Sequence, residues 1–221
     1  MADYAESEWH RQWPAVIVDC DTNRARPLLE SYYGLRPNGM PRYTGAHFEI
    51  VTALNEDPNT LAPADFVAVS LLSVNVSKEA VIRLLADDTA ADITRLLRAI
   101  PADVAIVDAP SDLLATASPA GQLWEHLRFG RDGVGPTTTS KLLAAKRPQL
   151  LPIWDSFVEQ ATGLGTEDYW RKFQSVLIAD DRRIWNWLTE LKSEISTVPK
   201  VVSPLRILDV VLWMLVDAGE L

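Results

Sequence analysis

A chain of 221 residues that is 48% hydrophobic and 23% charged has the composition of a globular protein with one large core or two small ones, not of a disordered chain. Its longest apolar run, Ile207 to Val216, is interrupted by Asp209 and falls short of the roughly 18 residues a membrane span needs; the acidic start (Asp3, Glu6, Glu8) is unlike a secretory leader, so a cytoplasmic protein without membrane association is expected. The single cysteine, Cys20, excludes an internal disulfide framework and any four-cysteine metal or iron–sulfur site, and a net charge of −9 argues against a surface coated for non-specific nucleic-acid binding.

Residues 1–24 show no steady period and are expected to form an irregular arm. Arg26 to Tyr33 has helical character and is closed by Gly34, a residue suited to a left-handed cap. A Pro/Gly-rich stretch follows (Pro37, Gly39, Pro41, Gly45), then an apolar segment from His47 to Leu54. Pro63 opens a helix at its first position, and Ser77 caps the next, which carries Val81, Ile82, Leu84 and Leu85. Thr89 is expected to cap a helix bearing Ile93, Leu96, Leu97 and Ile100, which Pro101 stops. Val104 to Val107 is strand-like but too isolated to build a sheet. Ser118-Pro119 starts a helix ending near Gly130, Thr166 is read as the cap of one carrying Trp170, Phe173 and Leu177, and Ile184 to Leu191 marks another. Ser203-Pro204 begins the last, reaching about Ala218. The expectation is an all-α, two-lobed helical fold, with an N-terminal lobe over 25–120 and a C-terminal lobe over 121–221.

Charge is distributed unevenly. Residues 1–123 carry 9 Lys+Arg against 17 Asp+Glu, and residues 151–221 carry 7 against 11. Residues 124–150 reverse the sign, with 5 (Arg128, Arg131, Lys141, Lys146, Arg147) against 2 (Glu125, Asp132). That positive segment contains Gly133-Val134-Gly135-Pro136-Thr137-Thr138. Two glycines around an apolar residue permit a tight turn with exposed backbone N–H groups. Pro136 and Thr137 then start a helix whose N-terminal dipole favours an anion. The turn reads either as a phosphate-binding site or as a helix corner packed closely through its glycines. Lys141, Lys146 and Arg147 read either as phosphate contacts or as a solvated face that compensates the helix C-terminal dipole, the two readings being equal for Lys146 and Arg147.

Downstream, Pro152-Ile153-Trp154-Asp155-Ser156-Phe157-Val158 begins another apolar pattern, with Asp155 18 residues beyond Thr137 (155 − 137). Together the two segments resemble the helix-hairpin-helix DNA glycosylase superfamily, the group containing endonuclease III and MutY. The resemblance covers Gly133 to Val158. It implies a hairpin at Gly133, Val134 and Gly135 that clamps a DNA phosphate, with a monovalent cation as a possible aid. It also implies a catalytic carboxylate at Asp155. Thr137 stands where bifunctional members have a Schiff-base lysine, so the resemblance implies a monofunctional enzyme hydrolysing the N-glycosidic bond of a flipped base. A carboxylate at a helix start would stabilise the sugar cation, although the same position suits a helix cap. Trp154 reads either as a stacking surface for the extruded base or as packing behind the hairpin. The departures are Arg131-Asp132 in place of Leu-Pro, Thr139 in place of alanine, Gln160 in place of a basic residue, and the lack of an iron–sulfur loop. A non-catalytic DNA-binding or protein-interaction domain on the same scaffold is the alternative; oligomeric state is left open.

Three further phrases (Phe66 to Val74, Lys146-Arg147-Pro148 and Arg206 to Met214) resemble an uncharacterised bacterial family with no assigned activity. The histidines (His10, His47, His126) lack ligand spacing, so no metal is expected. Cys20 reads as inert, and Asp209, set among apolar residues, as a buried hydrogen-bonded carboxylate.

Overall fold

A computed structural model describes residues 9–221. In chain order its helices are α1 (Trp9–Gln12), α2 (Ala15–Val18), α3 (Thr22–Tyr32), α4 (Phe48–Thr52), α5 (Pro63–Ser70) and α6 (Lys78–Leu85). They continue with α7 (Asp87–Arg98), α8 (Pro119–Arg128), α9 (Pro136–Lys146), α10 (Ser156–Thr162), α11 (Tyr169–Glu194) and α12 (Pro204–Asp217). There is no β-strand among the described residues; the strand-like run becomes a single 3-10 turn, Ile106–Asp108. Among the described residues, no helix is long and apolar enough to cross a membrane.

Local chemistry sets most of the helix starts. The hydroxyls of Ser77, Ser118 and Ser203 accept the N–H groups of Ala80, Gly121 and Arg206, at 3.0, 3.1 and 3.1 Å. Pro63, Pro119, Pro136 and Pro204 occupy first helical positions, where their missing N–H costs nothing. Two expected caps are displaced. α7 begins at Asp87, ahead of Thr89, and α11 begins after Asp168 in a left-handed conformation rather than at Thr166. The expected irregular arm is also corrected over its described part, residues 9–24. There α1, α2 and the link between them bury Trp9, Trp13, Val16 and Ile17, because four large apolar side chains pull even short helical turns into a core. Residues 1–8 lie outside the described residues.

The chain forms two compact units, and their boundaries differ from the contiguous lobes expected. Among the described residues, one unit joins residues 9–46 to 154–221; the other is residues 47–153. In the first, α12 is the central helix, buried along nearly all its length and packed by α3, α10 and α11. In the second, α9 packs on α5 and α8, with α7 against α8 and α6 against α7. A boundary at residue 120 fails because α8 and α9 share their core with α5 and α7.

α11 is interrupted at Ala179–Arg182, where Asp180, Asp181 and Arg182 all take left-handed φ values of 49°, 54° and 63°. Each such residue costs about 1–2 kcal/mol for an L-amino acid, a penalty glycine escapes. Asp181→Gly, at an exposed position, is therefore expected to stabilise the protein by about 1 kcal/mol. Urea denaturation should show a higher midpoint with an unchanged slope.

Candidate nucleic-acid interface

The glycine turn lies between α8 and α9, two helices that pack on one another within the 47–153 unit. Gly133 has φ +89°, a conformation that side chains resist, and is exposed; Val134 is buried beneath it and anchors the turn. α9 starts on Gly135 without a side-chain cap. Pro136 has no N–H, and that of Thr139 is the first to close a helical bond, onto the Gly135 carbonyl at 3.0 Å. The helix's N-terminal partial charge is therefore carried by the N–H groups of Thr137 and Thr138. Thr137 is half-buried, whereas the Thr138 side chain is only 6% exposed.

Beside this helix start is a surface cleft of about 780 Å³, lined by Glu125, Arg128, Phe129, Gly130, Arg131, Val134 and Gly135. Arg128 lies over the Trp124 ring at 5.6 Å and reaches Glu125 at 3.5 Å, while Arg131 is exposed. Phe129, at 84% exposure, projects from the rim. Arg128 and Arg131 were visible in the sequence only as part of a local excess of positive charge.

Asp132, an acid beside an anion site, has a specific partner. Arg83 from α6 donates through Nε and Nη2 to its two carboxylate oxygens, at 2.7 and 3.1 Å. The same guanidinium donates to the Leu127 carbonyl at 2.9 Å, and the Ser77 hydroxyl donates to the Asp132 carbonyl at 2.7 Å. The Arg83 hydrogen bond, with the N–H groups of Asp132 and Val134, holds the Asp132 carboxyl below the usual carboxylate range against the opposing effect of burial. Gly130 makes this possible: a Cβ there would fall 2.1 Å from Arg83 Nε. The turn is therefore fastened to α6, with its acid neutralised. Since the Val134 N–H is turned toward Asp132, it is not one of the outward donors expected from the sequence. Nothing local in the sequence points to Arg83.

The three cations of α9 and its end require correction as phosphate contacts. Lys141 is 6% exposed and donates to the Leu72 carbonyl at 3.0 Å. Lys146 is 4% exposed and is paired with the fully buried Asp65 at 3.2 Å while donating to the Asp57 carbonyl. Burial pushes its ammonium below the usual lysine range, and Asp65 opposes that shift. Arg147 is fully buried and donates to the carbonyls of Ile100, Pro58, Lys146 and Leu97 and to Asn59 Oδ1. These charges are consumed inside the unit, where unpaired backbone oxygens would be costly. The positive surface at the turn comes from Arg128 and Arg131 instead.

Trp154 and Asp155 belong to the other unit. Asp155 caps α10, with Oδ1 accepting the N–H groups of Phe157 and Val158 at 3.1 Å each, and the residue is 9% exposed. Trp154 is half-buried, and its indole N–H donates to the Leu164 carbonyl at 2.7 Å, which holds the ring against the loop after α10. Asp209 is a buried carboxylate paired with Arg206, as its apolar surroundings imply. Among the described residues, no group of three or more His, Cys, Asp or Glu converges to hold a metal.

Fold and turn together define an all-helical protein in which α9, buried from Thr138 onward, starts on glycine without a side-chain cap, beside a cleft lined by Arg128 and Arg131. The chain belongs to a family of unknown function, DUF6308, which matches residues 25–216. No curated protein and no solved structure matches it.

Proposed function

We propose that this protein binds DNA through the phosphate backbone at the turn joining α8 to α9. The observation that carries the reading is the uncapped start of α9 opening on a cleft flanked by Arg128 and Arg131, with Asp132 neutralised by Arg83. Helix dipole and N–H groups attract an oxyanion there, and arginine forks suit phosphate. Such contacts set position on DNA without reading sequence. The resemblance implies a monovalent cation that would help the Gly133–Gly135 turn hold the phosphate; exchanging potassium for tetramethylammonium at constant ionic strength would then weaken binding.

Gly135→Asp tests the site cleanly. Its φ of −93° suits any residue and nothing lies within 4 Å of the new Cβ, so the fold tolerates the change while a carboxylate enters the site. Duplex affinity at low salt is expected to fall at least tenfold. Arg128→Gln with Arg131→Gln should lower the salt slope of log K by about 1.8, at 0.9 per phosphate. Unchanged affinity and slope in both would remove the proposal.

The narrower glycosylase reading assigns Asp155 the role of stabilising the sugar cation of a flipped base, with water as nucleophile. Its near-complete burial and capping bonds favour the non-catalytic reading. Asparagine caps as well as aspartate, so Asp155→Asn removes the charge alone. Base release from a panel of damaged duplexes, lost in Asp155→Asn with DNA affinity retained, would reinstate catalysis.

A further inference from the structure

A second surface, in the unit formed by residues 9–46 and 154–221, has the chemistry of a base-stacking platform. Tyr32, Tyr43, Trp213 and Phe157 form a continuous row of rings. Tyr43 stacks on Tyr32 at 5.2 Å and 8°, meets Trp213 edge-on at 5.6 Å, and Trp213 stacks on Phe157 at 5.6 Å and 22°. Tyr32 is buried, but Tyr43, Trp213 and Phe157 all keep part of their surface in solvent. The row is held from beneath by Arg206, whose guanidinium lies 5.4 Å from the Tyr32 ring centroid. It donates to Tyr32 Oη at 2.7 Å and to the Gly45 carbonyl at 3.1 Å, and Asp209 neutralises it.

Leading into Tyr43 is a tied loop. Arg36 N–H donates to the Met40 carbonyl at 2.7 Å, Arg42 N–H to the Gly34 carbonyl at 3.1 Å, and Arg36 Nη2 to the Arg42 carbonyl at 3.2 Å. Arg36 and Arg42 are exposed, as are Leu35 and Met40 at 58% and 59%. From Ser31 to Ala46 the chain carries these two arginines and no Asp or Glu, inside a protein of net charge −9. Of the acids on the helices that carry these rings, Asp209 is paired with Arg206 and Asp155 caps α10, while Glu30, Glu159 and Asp217 are exposed on α3, α10 and α12.

We propose that the Tyr43–Trp213–Phe157 row, with Arg36 and Arg42, binds single-stranded nucleic acid, the rings stacking on bases and the arginines meeting phosphates. Partly exposed rings beside exposed arginines are what a strand requires: every base has a face to stack, and every linkage a charge to neutralise. A duplex keeps its base faces covered, so this surface discriminates for unpaired strands. The assignment goes beyond the hairpin reading and stands without it.

The test is fluorescence anisotropy of a labelled oligothymidylate of about a dozen nucleotides, titrated with the full chain across a salt series. Tyr43→Leu, which keeps apolar bulk and removes the ring, is expected to weaken binding roughly tenfold, as loss of one stacked base would. Arg36→Gln with Arg42→Gln, at exposed positions, should reduce the salt slope by about 1.4, at 0.7 per phosphate on a single strand. Photocrosslinks from a 4-thiothymidine strand should map to Tyr43, Trp213 or Phe157, and Gly135→Asp should bind the single strand like wild type. No binding by wild type at low salt overturns the proposal. So does full affinity and slope in the folded Arg36→Gln, Arg42→Gln protein, or loss in Gly135→Asp with none in Tyr43→Leu.

Discussion

Lys146→Met is expected to cost about 3–5 kcal/mol, read as a fall in the urea midpoint, because it strands a fully buried carboxylate. Asp65 also accepts from Asn55 Nδ2 at 2.7 Å and from the Ala62 N–H at 2.8 Å, so it sits at a junction between α5 and the preceding loop. Removing both charges in Asp65→Leu with Lys146→Met should recover part of the loss. It should not recover all of it, since those two donors then lack their acceptor, at about 1–3 kcal/mol each. Asp65→Leu alone leaves a different signature. Burial already depresses the Lys146 pKa, and loss of its carboxylate depresses it further, so the unfolded state holds more protons between the native value and the ordinary lysine value. Stability of this variant should therefore rise as pH is raised through that window. A midpoint independent of pH there would show that Lys146 finds another anion.

Arg83→Ala is expected to have the second large effect, and it joins stability to binding. The pair it breaks is 23% exposed on the arginine side and 10% on the aspartate side, so the cost is about 1–3 kcal/mol, below that of a fully enclosed pair. The freed Asp132 carboxylate then faces any phosphate at the turn, and one unit charge at 4 Å in water is worth about 1 kcal/mol, or roughly fivefold in DNA affinity. The pH dependence follows from the direction of the Asp132 shift. Its native carboxyl is held below the ordinary range, so the wild-type protein gains stability above the ordinary carboxyl pKa and loses it as pH falls through the native value. In Arg83→Ala that part of the acid loss should vanish. An unchanged acid limb and unchanged duplex affinity would mean the Arg83–Asp132 clasp holds nothing at the turn.

The glycine turn was legible because its requirements are local: a positive φ at Gly133, a proline at the first helical position, and two nearby arginines. The roles of Lys141, Lys146 and Arg147 were not. α9 contains three threonines, a serine and two lysines, and such a sequence reads as a solvated helix, yet every residue from Thr138 to Lys146 is buried. Its polar groups find partners up to 89 residues away, and periodicity within one helix carries no record of them. The clasp on Asp132 was hidden for the same reason, with 49 residues separating it from Arg83.

By itself the sequence determined that this chain is helical, where most helices begin, and that the backbone turns on Gly133, because caps, prolines and φ restrictions act within a few residues. Gly34, expected as a left-handed cap, is not left-handed, and α3 ends on Tyr33 instead. Asp209 was also legible as buried, since it stands in α12 among Ile207, Leu208, Val210 and Val211, with Arg206 one turn back as its partner. Tertiary structure alone decided that residues 9–46 share one unit with 154–221, which cations remain at the surface, and that Tyr43, Trp213 and Phe157 meet in one row. Those outcomes depend on long-range packing, where burial of apolar area sets which side chains meet and the cost of an unpaired charge sets which must pair.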